Sequence, residues 1–172
     1  MYIATSIDGF IADKEGGIDW LQSSPNAEHS DMGYNEFNEQ IEAMVMGRNT
    51  FETICGFDID WPYKKPVFVL SNSLSEIPVE YLKKAFLVNG SPSEILNHIH
   101  EKGYNQLYID GGATIQSFLK EGLIDDLIIT TIPIILGDGI PLFSTLNDPI
   151  ALDLVSSKVY VNQVVQSHYR KK

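Results

Sequence analysis

The chain has 172 residues, 44% of them hydrophobic, one cysteine and a formal net charge of -11. That length and apolar content can bury one sizeable core and no linker-like stretch divides it, so residues 1–172 read as a single domain. The acidic balance, with no local run of Lys or Arg, excludes a nucleic-acid partner and an anionic membrane surface. Cys55 cannot form an internal disulfide, and "MYIATSIDGF" has neither the basic opening nor the apolar centre of a signal peptide, so a cytoplasmic protein is expected.

In chain order, "YIATSI" near the start is the first short apolar run rich in β-branched residues. Tyr34, Phe37 and Ile41 then fall at helical spacing. "EAMVMG" at 42–47, "PVFVLS" at 66–71 and "AFLV" at 85–88 read as buried strands. "SPSE" at 91–94 supplies Ser91 as N-cap, Pro92 at the first helical position and Glu94 reaching back, ahead of Ile95 and Ile99 on one helical face. "QLYID" at 106–110 is a strand, followed by Ile115, Phe118 and Leu119 on a helix; Gly103 and Gly122 sit where C-terminal caps belong. "LIITTIPII" at 127–135 reads as a strand, and the run "LIITTIPIILG" is apolar on both faces with a second half that extends past what a central strand needs, which predicts a face for a second copy of the chain, a homodimer. The final "SSKVYVNQVVQSHYRK" alternates polar and apolar with no helix after it and predicts one antiparallel strand. The expected class is α/β, a mostly parallel sheet with an antiparallel C-terminal strand.

In such a sheet ligands gather at the carboxyl ends of the strands. After "EAMVM" come Gly47, which allows close backbone approach, Arg48 with its guanidinium fork, and Asn49 or Thr50 to open a helix, the ingredients of an anion site. "SNS" after "VFVL" offers small polar groups for a phosphate or ribose. Gly111 and Gly112 after "LYID" are either a bare strand-to-helix turn or a phosphate seat at a helix N-terminus. Taken singly, "SNS" is more often a solvated loop and an arginine after a strand a surface charge. No G-x-G-x-x-G fingerprint follows the first strand, which disfavours an ordinary dinucleotide site of the Rossmann type. No metal is expected: His98 and His100 diverge on a helix, and His29 and His168 have no spaced partner. Cys55 lacks an adjacent base and reads as a packing residue.

The order of these pieces carries more than any one of them. "IATSIDGFIA" with a Gly-containing loop to Trp20, then "MVMGRNTFE", "FVLSN", "LYIDGGATIQSFL" and "IPIILGDGIPLF", resembles the dihydrofolate-reductase-like superfamily. Within it the chain is most similar to standalone proteins related to the reductase domain of bacterial riboflavin biosynthesis, the RibD C-terminal type. The resemblance implies a three-layer α/β sandwich and NADPH as cofactor. It places Ala4 and Ile11 against the nicotinamide and makes Trp20 an aromatic that closes a mobile loop. Gly47, Arg48, Asn49 and Thr50 match the first phosphate-binding turn. Leu70, Ser71 and Asn72 match the strand end holding the adenosine side with its 2'-phosphate, and Gly111, Gly112, Ala113, Thr114 and Ile115 match the second turn. Asp8 and Gly9 match an "S-x-D-G" signature, where an Asp-Gly pair is first of all a turn.

The reaction so implied is hydride transfer to a C=N or masked imine of a small heterocyclic, ribosylaminopyrimidine- or pterin-like substrate, and the resemblance also implies a homodimer. Folate reductases hold the pterin with a carboxylate in the first helix, and Asp31 stands at roughly that distance before Gly47. In that role it needs partial burial and a raised pKa. The other arrangement, favoured because Met32-Gly33 is a poor helical setting, is a stacking wall of Tyr34 and Phe37. The ribose-phosphate motif of the "G-x-G-T-x-x-x-D-x-P" type is not in this chain. Three readings stay open: a reductase resembling 5-amino-6-(5-phosphoribosylamino)uracil reductase, a dihydrofolate reductase, and a non-catalytic NADP-binding protein.

Overall fold

The computed structural model describes residues 1–23, 30–161 and 163–172; His29 lies outside them. In chain order the elements are β1 (Tyr2–Thr5), β2 (Phe10–Ala12), α1 (Tyr34–Gln40), β3 (Ala43–Gly47), α2 (Arg48–Cys55), β4 (Val67–Leu70), β5 (Ala85–Val88), α3 (Pro92–Glu101), β6 (Leu107–Asp110), α4 (Gly112–Lys120), β7 (Asp126–Thr131), β8 (Ile140–Pro141), β9 (Leu152–Tyr160) and β10 (Val164–Lys171), with short 3-10 turns at Asp19–Ser23 and Val79–Tyr81. They cluster into two compact units. A terminal unit comprises Met1–Phe37 with Ile124–Lys172, and a central unit comprises Asn38–Leu123.

The central unit is a four-stranded, wholly parallel sheet in the order β5-β4-β3-β6. Parallel strands covered on both faces must be apolar on both, and Ala43, Met44, Val45 and Met46 of β3 are accordingly fully buried. The helices turn Phe51 (α2), Ile95 and Ile99 (α3), and Ile115, Phe118 and Leu119 (α4) inward. Full burial of each such side chain stabilises by roughly 1.5–3 kcal/mol, so a few of them outweigh any surface contact in the unit. Ser91 and Glu94 form the expected capping box, with Ser91 N–H donating to Glu94 Oε2 at 2.8 Å. Gly122 ends α4 at φ 67, where Leu123 N–H donates back to the Phe118 carbonyl. Cys55 closes α2 half-buried; burial pushes its thiol pKa up while a hydrogen bond with Tyr81 pulls the other way.

The terminal unit holds a mixed sheet in the order β1-β7-β10-β9, in which β1 and β7 are parallel and β10 pairs antiparallel with both β7 and β9. A small ladder joins β2 to β8. The α/β class and the mostly parallel pairing ended by antiparallel C-terminal chain are those expected, with two corrections. The single strand expected over 156–171 is two arms of a hairpin: Gln163 N–H donates to the Tyr160 carbonyl and Val161 takes φ 45. Polar/apolar alternation runs on through that reversal, so periodicity cannot mark it. The apolar run 127–135 likewise stops being a strand at Thr131, ahead of Pro133, which has no N–H to give a ladder. β7 is thus an interior strand between β1 and β10; beyond its end Ile135 is 70% exposed, and on β9 Leu154, Val155 and Val159 are 61%, 48% and 66% exposed. Among the described residues no helix is long and apolar enough to cross a membrane.

Candidate functional site

In the central unit β3 and β6 lie side by side, Met46 opposite Asp110, and each passes straight into a helix. Gly47 precedes α2 and Gly111 precedes α4, and neither helix N-terminus has a side-chain cap. The first N–H groups of both helices therefore have no intrahelical acceptor, and two positive dipole ends open at one edge of the sheet. That is a setting for a doubly charged or bridged anion such as a pyrophosphate.

The glycines are required by the threonines opposite them. Gly111 has φ 84 and ψ 137, a region essentially reserved for glycine, and a Cβ there would collide with the Thr50 hydroxyl. Gly47 has an ordinary extended backbone, but a Cβ there would stand 2.9 Å from Thr114 Oγ1. Each turn thus fits against the third residue of the opposite helix. Gly112, Ala113 and Asn49 stand at the mouth, Ala113 and Asn49 exposed. Ile115, expected in this set, is fully buried on the inner face of α4, so its side chain is core and only its backbone belongs to the turn.

The exit of β4 differs from the expectation in detail. Ser71 is 8% exposed and its Oγ accepts the N–H groups of Ser73 and Leu74, at 3.1 and 2.9 Å, so it shapes the loop. Asn72 is exposed beside it, and Leu70 is half-buried opposite Gly47. The partner of Arg48 is Ser73: Arg48 Nη1 donates to Ser73 Oγ at 2.8 Å while its Nε lies 3.5 Å from Glu52 Oε2. The guanidinium is thereby aimed across the β4 exit.

One group at this edge escaped the sequence reading. Asp110 closes β6 immediately before Gly111; part of the residue remains accessible, but its carboxyl is crowded by protein. Burial raises its pKa, against opposing hydrogen bonds from the Gly111 N–H at 2.9 Å and from Tyr108. A carboxylic acid that holds its proton more tightly than usual, at a strand exit beside an anion cradle, is suited to donating it. The signal lies in "LYID", an acid ending an apolar strand.

In the terminal unit, Ala4 is half-buried on β1 opposite Thr130, and Ile11 is half-buried on β2. Trp20 is 9% exposed and packs with Ile132 and Val164, and Ala4 and Met32 lie against the same cluster. Its ring is an anchor in a core. Asp8 accepts the N–H groups of Leu136 and Gly137 at 3.1 and 2.8 Å, tying the first turn to the "GDG" segment; the Ser6 hydroxyl first, then these amides, hold its carboxyl below the usual range.

Asp31 is exposed. Its Oδ1 accepts from Gly33 N–H at 3.1 Å and its Oδ2 from Asn35 N–H at 3.0 Å, with Asn35 the larger cause of a lowered pKa. This is a carboxylate committed to the start of α1, without the burial or the raised pKa that holding a pterin requires. Tyr34 and Phe37 project from α1 beside Tyr2, their rings 5.6 and 4.9 Å from it between centroids. Among the described residues no cluster of His, Cys, Asp or Glu is assembled that could hold a metal.

The sequence model of the RibD C-terminal domain matches residues 1–166. A candidate riboflavin biosynthesis protein from Shewanella sp. PV-4 is 49% identical, with a TM-score of 0.96 over 99% of this chain and 97% of its own. The diaminohydroxyphosphoribosylaminopyrimidine deaminase/5-amino-6-(5-phosphoribosylamino)uracil reductase of Thermotoga maritima aligns at 15% identity and TM-score 0.75, over 99% of this chain and 55% of its own. Dihydrofolate reductase from Enterococcus faecalis, solved with NADP(H), aligns at 18% identity and TM-score 0.68, over 99% of this chain and 94% of its own. At the last two identities the likeness is one of fold, and it makes the fold dihydrofolate-reductase-like.

Proposed function

Because the chain belongs to the RibD C-terminal domain family, we propose that it is an NADPH-dependent reductase acting on a C=N or masked imine of a flat, ribosylaminopyrimidine- or pterin-like heterocycle. The observation that carries this is the pair of uncapped helix N-termini at adjacent parallel strand ends, with glycines where a Cβ would fill the cradle. These residues fit NADPH. The turns at Gly47–Thr50 and Gly111–Thr114 would hold the pyrophosphate, Arg48 with Asn72 and Ser73 the 2'-phosphate, and Ala4 and Ile11 the nicotinamide end. When bound, the cofactor supplies a hydride.

The protein's own part is to orient and to protonate. Asp110, protonated more readily than an ordinary carboxyl, is the proposed proton source at the strand ends of the central unit. In the terminal unit, Tyr34 and Phe37 are proposed to stack a flat ring. Asp31, already committed to α1, is left out of the chemistry, which sets the dihydrofolate reading below the pyrimidine one. We read residues 1–172 as one functional domain, supported by a single family match across residues 1–166.

The test follows NADPH oxidation with a panel of ribosylaminopyrimidines, pterins and dihydrofolate. Turnover of a ribosylaminopyrimidine with little or none of dihydrofolate is expected. Tight NADPH binding with no acceptor turned over would instead make the chain a non-catalytic NADP-binding protein. The same preparation reports association: β9, an edge strand with apolar residues exposed on both faces, is proposed as the surface of a homodimer, and sedimentation as a clean monomer at micromolar concentration would overturn that.

A further inference from the structure

The chain enters α1 through an elbow in which two successive residues have positive φ, Met32 at 53° and Gly33 at 89°. Met32 is not a glycine, so something must hold it there. Two donors converge on its carbonyl: the Tyr2 hydroxyl at 2.8 Å and Gln166 Nε2 at 3.0 Å. Gln166 Nε2 also lies 2.9 Å from the Tyr2 hydroxyl oxygen and 2.9 Å from Thr130 Oγ1, so its two hydrogens are shared among three acceptors. Since the Met32 carbonyl can only accept, the amide must present its NH2 to it, and the network has one consistent sense. Burial raises the pKa of Tyr2, which keeps its donor proton in place at neutral pH.

The other end of Tyr2 is its ring, which lies 4.9 Å from Phe37 and edge-on to Tyr34 at 5.6 Å. The helix that carries those two aromatics has seven residues and buries none of them. Its seat is therefore not specified by a core of its own, and a segment with so little burial opens cheaply unless it is tied. The tie is made by β1 and β10, strands at opposite ends of the sequence, acting on one carbonyl group.

We infer that Tyr2 and Gln166 are positioning residues of the substrate wall: through the Met32 carbonyl they set the seat of Tyr34 and Phe37, and so govern the binding of a planar heterocycle. This rests on the reductase reading above. Removing the clamp should let α1 wander and loosen the substrate, while the chemistry, performed elsewhere, keeps its rate once substrate is seated.

Two variants test it in the full chain. Tyr2→Phe keeps the ring and removes the hydroxyl; Gln166→Leu removes the amide. Each should raise KM for the accepted heterocycle about five- to tenfold, the range of one lost part-buried hydrogen bond, with kcat within about twofold and NADPH affinity unchanged. Because the two groups act on one carbonyl, the double variant should be scarcely worse than either single one. Unchanged KM, or a loss of kcat or NADPH affinity in its place, overturns the inference. Hydrogen exchange judges the clamp separately from the reaction: Tyr2→Phe should speed exchange of the amides of residues 34–40, and no selective change there sinks it even if a substrate is found. If the parent turns over no heterocycle, it is the reductase reading that fails, and the exchange result alone decides for or against the clamp.

Discussion

The proposed phosphate cradle of the central unit and the proposed aromatic wall of the terminal unit are built in opposite ways. The cradle is backbone: two strand exits, two helix N-termini, and glycines whose absent side chains make room. The wall is side chains, held by hydrogen bonds between residues as far apart in sequence as Tyr2 and Gln166. A backbone site tolerates almost no change at its glycines and is indifferent to many of its neighbours. A side-chain site degrades by steps.

Gly111→Ala puts a Cβ where Thr50 stands and a side chain at positive φ, so NADPH binding measured by calorimetry should fall at least about a hundredfold, with a stability loss on the order of 1–3 kcal/mol from the backbone alone. Ordinary affinity would mean that the second turn holds no phosphate. Gly112→Val, which adds bulk at the mouth without that strain, should weaken binding while leaving the melting temperature nearly as it was.

Asp110→Asn should separate activity from stability. As the proposed acid, its loss should lower kcat roughly 10²- to 10⁴-fold. The fold should gain, since a raised folded-state pKa means that the native chain binds more protons than the unfolded one above the ordinary value of 3.8. Stability is therefore intact below that value and declines as pH rises toward the raised one, and asparagine removes the decline. In the parent, kcat/KM should fall as pH rises through the same raised value. A variant that is less stable at neutral pH, or as active as the parent, would deny Asp110 the role.

Arg48→Ala should cost NADPH about tenfold in affinity and leave NADH unchanged, as expected for a charge-assisted contact to the one phosphate that distinguishes them. Equal losses for both cofactors would move Arg48 to the pyrophosphate. The smallest effect belongs to Asp31→Ala: a slightly lower melting temperature from the lost start of α1, and unchanged turnover. Its lowered pKa means that its contribution is present above 3.8 and is lost as pH falls through the folded-state value, so the variant and the parent should converge in acid.

The same contrast explains what the sequence made legible. Gly47, Gly111, the Ser91–Glu94 box and the buried run of β3 are local chemistry, each readable within a few residues. The order of such local signals was enough to reach the fold. Gln166 was not legible, because nothing in "VVQSHY" says that its amide will meet the carbonyl of Met32. At Ser71 the limit is a related one: a hydroxyl after a strand looks the same in sequence whether or not it also closes its own turn, as this one does. Asp110 needed knowledge of burial, which an acid at the end of an apolar strand hints at without stating.

The pairing of Gly47 with Thr114 and of Gly111 with Thr50 bears on any attempt to re-engineer the chain. A loop transplanted from another protein at one strand exit brings only one half of a joint. The bulkier residue it introduces meets a threonine that was not replaced, and the graft fails for want of its counterpart 60-odd residues away. If these turns hold the cofactor as proposed, its preference is modular only as a two-segment cassette, exchanged whole or left alone.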